Sequence, residues 1–255
     1  MQLQPAEAPS SSSLISPVVD LRQYTLHPGT RDRFVELFDT QFVETQEEVG
    51  IRLIGQFRDL GDPNRFVWLR GYPDMPARQR ALHAFYVEGR AWKEHAEAAR
   101  AMMIDSSDVL MLRPVDAAAA FRLEPPARRP ALVAPVPDGM VLASIHHVSA
   151  ATTAAFAAFY REQALPQLLA AGGRLLGLFA TEHSPNNFPR HPVREGENVL
   201  VSFIGFDGLQ HYHQHLHALG GSRHWGDDVY PALTRQLLMP PQLLRLSPTS
   251  RSQLR

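Results

Sequence analysis

The chain has 255 residues and no cysteine, which excludes disulfides, thiolate metal sites and a cysteine nucleophile. No apolar run approaches the roughly 18 residues that a membrane-spanning helix needs, so no membrane partner is expected. The first basic residue is Arg22, and the start has neither the pattern of a signal peptide nor that of a transit peptide; a cytoplasmic location is the expectation. A net charge of −1 leaves no basic excess for a phosphate backbone, which argues against nucleic acid as a partner. A phosphate-cradling glycine loop, a nucleophile elbow and a usable carboxylate pair are also missing, and no cofactor is expected.

What is present is a repeat. Arg52-Leu53-Ile54-Gly55-Gln56-Phe57 returns as Arg174-Leu175-Leu176-Gly177-Leu178-Phe179, a shift of 122 residues (52 to 174) that also carries Tyr24 onto His146. Further along, Gly71-Tyr72 maps to Gly205-Phe206 at a shift of 134 (71 to 205). Hydrophobic content of 44% and charged content of 20% suit two folded units of ordinary size rather than a disordered chain.

The pattern predicts a tail over 1–17, a first module over 18–115, a proline-rich linker over 116–139, a second module over 140–248 and a tail over 249–255. In the first module, strands are expected near 18–25, 51–58, 65–71 and 109–113. Phe34, Phe38 and Phe42 mark one helix, Thr30 is placed to cap it, and Asp74 is placed to cap the next. The order is β-α-β-β-α-β, a ferredoxin-like split βαβ, and it recurs in the second module. There a long polar loop, 181–198, replaces a short turn.

Alternation on the strands separates two faces. Val19, Leu21, Leu53, Phe57, Val67, Leu69, Leu110 and Leu112 form an aliphatic set suited to packing under helices. Asp20, Arg22, Tyr24, Arg52, Ile54, Gln56, Phe66, Trp68, Arg70, Met111 and Arg113 form the other. The expected fold class is therefore α+β: two ferredoxin-like modules whose uncovered sheet faces pack together as an intrachain α/β barrel around a partly polar cavity.

Asp20-Leu21-Arg22-Gln23-Tyr24-Thr25-Leu26, Gly61-Asp62-Pro63-Asn64-Arg65-Phe66-Val67-Trp68-Leu69-Arg70, Trp92 and the 102–114 segment resemble the NIPSNAP family, within the wider dimeric α/β-barrel group. The second module is similar more weakly, through 174–179 and Asn186-Asn187-Phe188-Pro189-Arg190. The resemblance implies the fold; relatives in the wider group include oxygenases that work without metal or flavin, isomerases and haem-handling proteins.

Candidate ligand contacts are Arg22, Arg52, Arg70, Arg113 and Arg174, whose guanidinium forks suit an anionic or carbonyl-bearing molecule, with Trp68 as a flat wall and Asn187 and Arg190 in the long loop as a lid. Pairing with Asp20 is the plain structural alternative for the arginines. His146 and Tyr24 are candidate proton-transfer groups. His211, His213, His215 and His217 pair at spacing four without a third ligand, so no metal is expected. Three functions fit: small-molecule binding in the cavity, a cofactor-independent oxygenase or isomerase, and a protein-interaction scaffold. Homo-oligomerisation is left open.

Overall fold

The computed structural model describes residues 16–123, 136 and 138–255. Residues 1–15 of the tail expected over 1–17, and residues 124–135 and 137 of the linker expected over 116–139, therefore lie outside the described residues. Eight strands form: β1 Val18–Leu26, β2 Arg52–Asp59, β3 Arg65–Tyr72, β4 Met103–Pro114, β5 Met140–His147, β6 Arg174–Thr181, β7 Val199–Phe206 and β8 Gln242–Pro248. They close into one antiparallel barrel in the order β1-β3-β2-β8-β5-β7-β6-β4. Each half contributes four neighbouring strands, and the halves meet at two short seams. At one, Phe57–Asp59 pair with Leu246–Pro248; at the other, Leu112–Pro114 pair with Phe179–Thr181.

The helices lie outside. In the first half they are α1 Arg31–Leu37, α2 Val43–Glu47, α3 Met75–His83 and α4 Arg90–Arg100; in the second, α5 Thr153–Phe159, α6 Leu165–Ala170, α7 Leu209–Gly221 and α8 Tyr230–Thr234. Short π-helical segments at 38–42, 84–88, 160–164 and 224–229 join or extend them. Asp74 caps α3 as expected, accepting from the Ala77 amide at 2.6 Å. Thr30 does not cap α1; its hydroxyl donates instead to the His27 carbonyl at 2.7 Å.

The two sheet faces are the reverse of the expected assignment. Val19, Leu21, Phe57, Val67, Leu69, Leu110 and Leu112 point into the barrel, joined by Val141, Ala143, Ile145, Phe179, Val199, Val201, Phe203, Leu244 and Leu246. Tyr24, Phe66 and Trp68, with their polar neighbours, lie under the first half's helices. Eight strands leave an interior just wide enough for side chains, and this one is filled mainly with aliphatic and phenyl groups. The partly polar hollow expected between the sheets is thus occupied by a dry core. Inside, Gln23 and Gln242 satisfy each other by side-chain hydrogen bonds of 3.3 and 3.0 Å; a buried charged face needs more partners than that, and the helices supply Gln46, Arg78 and Tyr86 on the other side.

The repeated Arg-Leu-x-Gly-x-Phe motif has a local cause. The pairing of β2 with β3 slips between Leu53 and Gly55, and that of β6 with β7 slips between Leu175 and Gly177, as a β-bulge does. A Cβ on Gly55 would stand 2.4 Å from the Phe57 ring, and one on Gly177 2.6 Å from Phe179 and 3.0 Å from Phe121. Each glycine lets a ring fold back over the strand and fill the barrel. The bulge also moves Leu53 under the helices while Ile54 turns inward.

The segments flanking the strands seal the seams. At the start of the stretch expected as linker, Ala117–Ala119 form a 3-10 turn, and Phe121 and Leu123 enter the barrel core. Near the other seam, the Thr249 amide donates to Gln56 and that of Leu254 to Ile54, each at 2.8 Å; Leu254 is buried in the same core.

Candidate functional site

The face of the first sheet that lies under the helices carries a polar cluster at its centre. The β1–β3 register sets Asp20 opposite Arg70 and Arg22 opposite Trp68. From α3, Arg78 reaches down to the same carboxylate. Arg70 Nε donates to Asp20 Oδ2 at 3.0 Å, Arg78 Nε donates to Oδ1 at 3.1 Å, and Arg22 Nη1 lies 3.7 Å from Oδ2. All four side chains are inaccessible to solvent. Burial alone would raise the Asp20 pKa, but Arg78, Arg70 and Arg22 outweigh it and hold the carboxyl well below the usual range.

Surrounding groups satisfy part of this charge. Arg70 Nη1 donates to the Tyr86 hydroxyl at 3.0 Å and to Gln46 Oε1 at 3.4 Å, and Arg22 Nε donates to the Tyr24 hydroxyl at 3.1 Å. Trp68 is flanked by the Arg22 and Arg70 guanidiniums, 5.5 and 4.9 Å from its ring centre, within cation–π range. Tyr72 sits below, its hydroxyl 3.4 Å from Asp20 Oδ2, with burial pushing its pKa well up. Several buried atoms here have no hydrogen-bond partner among the described residues: the donors Arg22 Nη1, Arg70 Nη2, Arg78 Nη2 and Trp68 Nε1, and both Nε2 and Oε1 of Gln56, which stands opposite Trp68 in register.

The second half closes the site. Its 182–198 loop extends the β4–β6 seam, with Glu182 donating to the Met111 carbonyl and Arg194 to that of Val109, each at 2.8 Å. Side-chain pairs of Arg194 with Asp108 at 3.1 Å and of His147 with Glu197 at 3.2 Å hold its base. From there Asn186 and Asn187 accept from Arg78 Nη1 at 3.1 and 2.9 Å. His191 lies against Tyr86, ring centres 3.8 Å apart, and stacks on Phe188. Burial, then the Arg22 and Arg70 charges, push the His191 pKa down to about 2, so this imidazole is neutral at any physiological pH.

Of the residues singled out from sequence, Arg22, Arg70, Trp68, Tyr24 and Asn187 come together here. The others do not. Arg52 is half-exposed at the start of β2, in the field of Glu47. Arg113 and Arg190 are exposed, and Arg174 pairs with Asp207 at 3.3 Å on the surface. His146 is buried beneath the second half's helices, beside Phe156 and Tyr160, and its Nδ1 lies 3.3 Å from the Leu200 carbonyl. Burial lowers its pKa to about 4. Arg78 was the residue that strand alternation missed. It precedes Leu82 by four positions and Phe85 by seven, and both are buried; that helical stripe was the available signal for an inward arginine. On the His-rich α7, His215 is buried and His213 and His217 are exposed. Among the described residues no three His, Cys, Asp or Glu side chains are placed to hold a metal, and no helix is long and apolar enough to cross a membrane.

Over residues 19–119 the sequence matches the NIPSNAP family model. The first half carries this match to a NIPSNAP domain. That span holds Asp20, Arg22, Trp68, Arg70 and Arg78, while the loop that covers them comes from outside the matched residues. No curated protein matches the chain. Solved structures that resemble it along most of its length include an anthrone oxidase-like protein, 10% identical, covering 92% of this chain and 94% of its own, with a TM-score of 0.62. A candidate monooxygenase from Fusobacterium nucleatum is 11% identical, covers 92% and 93%, and has a TM-score of 0.59. Another candidate monooxygenase, from Lactobacillus acidophilus, is 12% identical, covers 91% and 94%, and has a TM-score of 0.55. At such identities the likeness concerns the fold alone; the buried arginines lie in the half that matches the NIPSNAP model.

Proposed function

We propose that the NIPSNAP domain binds a small molecule bearing an oxyanion or a carbonyl group, held by Arg22, Arg70, Arg78 and Trp68 between the sheet and α3. The second half, on this reading, is a second NIPSNAP-like module that serves as a built-in partner and lends the covering loop. The observation that carries the reading is the set of four buried N–H donors without acceptors. Buried donors are paired in the great majority of cases, and a group of them on three arginines that share Asp20 and flank Trp68 supports an acceptor from outside the chain.

A second reading is an enzyme, a cofactor-independent oxygenase or isomerase. The three guanidiniums support it, because they can stabilise negative charge that develops on a bound carbonyl oxygen, and Tyr24, whose hydroxyl accepts from Arg22 Nε at 3.1 Å, is a proton-bearing group placed among them. Names such as monooxygenase among the structural neighbours agree with this class and specify no substrate.

Native mass spectrometry of the full chain from its expression host tests the first reading. A retained mass that disappears in Arg78→Gln supports it. A retained mass untouched by that change, or a protein that carries none and is not stabilised by any oxyanion, overturns it.

A further inference from the structure

Resting on that binding site, we infer that its occupant is a dianion, with two negative charges carried on oxygen. The described ion pairs give Arg22, Arg70 and Arg78 one carboxylate in common, Asp20. Three guanidiniums against one carboxylate leave a surplus of two positive charges. The groups around them do not reduce it: Gln46, Asn186 and Asn187 are neutral amides, Tyr72 and Tyr86 keep their protons, and His191 carries none. An uncompensated buried charge carries a penalty comparable with much of a domain's whole stability. Two of them together require a counter-charge in the functional state.

The unpaired atoms specify its chemistry. Arg22 Nη1, Arg70 Nη2, Arg78 Nη2 and Trp68 Nε1 are donors, and Gln56, opposite Trp68 in register, adds one unpartnered amide donor and one acceptor. The three guanidinium donors call for a group rich in acceptors, as phosphate, sulfate and carboxylate oxygens are.

The second half shows that the fold does not need this charge. There the pair Leu142–Ile204 occupies the register position of Asp20–Arg70, and Ser144–Ser202 that of Arg22–Trp68. Tyr212 stands at the position of Arg78 when the 134-residue shift from Gly71 to Gly205 is continued. Leu142, Ile204 and Tyr212 are buried in an apolar cluster, under the same arrangement of strands. The same scaffold therefore closes over leucine and isoleucine, and the surplus charge of the first half belongs to what it binds.

Binding of matched ions to the full chain, followed by isothermal titration calorimetry at constant ionic strength and pH 7.5, tests this. The pairs are inorganic phosphate against dimethyl phosphate, and succinate against succinamate, so that charge changes while shape is nearly kept. The expected result is that one dianion binds roughly tenfold or more tightly than its monoanionic partner, a coupling of ordinary size for close charges. Whether phosphate or succinate shows the preference distinguishes a compact from an extended dianion. Arg78→Gln, which lowers the surplus from two to one, is expected to erase the preference; Arg22→Gln, whose contact with Asp20 is the longest at 3.7 Å, is expected to do the same should the first variant not fold. Equal binding of both members of a pair, lost in these variants, overturns the dianion and leaves the site standing. A preference for dianions unchanged by either variant places the ions elsewhere and removes the site reading too. Binding of neither dianion overturns the inference.

Discussion

Asp20 holds three guanidinium groups around one carboxylate in a volume closed to solvent. Removing the carboxylate charge with Asp20→Asn leaves those cations facing one another, and the expected loss is about 3–5 kcal/mol of unfolding free energy, the usual consequence of breaking a buried ionic group by one partner; urea denaturation reads it directly. Acid acts on other residues first. His146 is held neutral down to about pH 4 and His191 to about pH 2, whereas in the unfolded chain each takes up its proton near pH 6.5. Below that pH the unfolded state binds protons that the native state refuses, so stability falls as pH falls, by about 1.4 kcal/mol per unit for each fully displaced histidine. Asp39, pushed up to about 6 by burial, holds a proton in the native state and opposes one of the two between its folded and unfolded values. Asp20, depressed by the arginines, adds to the loss below its ordinary pKa of 3.8. Urea unfolding at pH 7 and pH 5 is expected to show the wild type losing more stability than His146→Gln over that interval; equal losses would remove His146 from this account.

Gly55 and Gly177 show how much one element depends on an absent methyl group. A Cβ at Gly177 meets two phenyl rings inside the barrel, so Gly177→Ala is expected to cost about 1–3 kcal/mol through overpacking, visible as a lowered melting temperature. The loop at 182–198 is the element through which the second half reaches the site. Replacing Asn186 and Asn187 by alanine removes the two acceptors of Arg78 Nη1, and hydrogen bonds to charged groups contribute about 1.5–3 kcal/mol each. The variant is expected to keep the barrel but to expose α3, read as faster amide exchange over residues 75–83 in hydrogen-exchange mass spectrometry. The eight strands were legible in the sequence because alternation and turn residues bound them. The π-helical segments were not: they continue the same apolar stripe as the α-helices beside them, and one extra residue in a turn leaves no compositional mark.

Across the whole molecule, the seams that close the barrel are short while the core they enclose is continuous. Phe57, Leu112, Phe179 and Leu246, from both halves, belong to one apolar cluster. Neither half alone can cover that surface, so residues 1–123 and 138–255 produced as separate chains are expected to co-purify when expressed together and to aggregate when expressed singly. Independent soluble monomers in size-exclusion chromatography would contradict this.

By itself, the sequence determined the number and order of strands and the segregation of each strand into an aliphatic and a mixed set, since these follow from residue spacing. It also placed Asp20, Arg22, Trp68 and Arg70 on one face. Which face turned inward was decided only by the tertiary structure. A period of two distinguishes the sides of a strand without saying which side meets helices, and that choice depends on where hydrogen-bonding partners stand. Here Gln46, Arg78 and Tyr86 come from helices and Asn186 and Asn187 from a loop more than a hundred residues away in the chain, and their presence outside the barrel drew the charges there and left the aliphatic set to fill it.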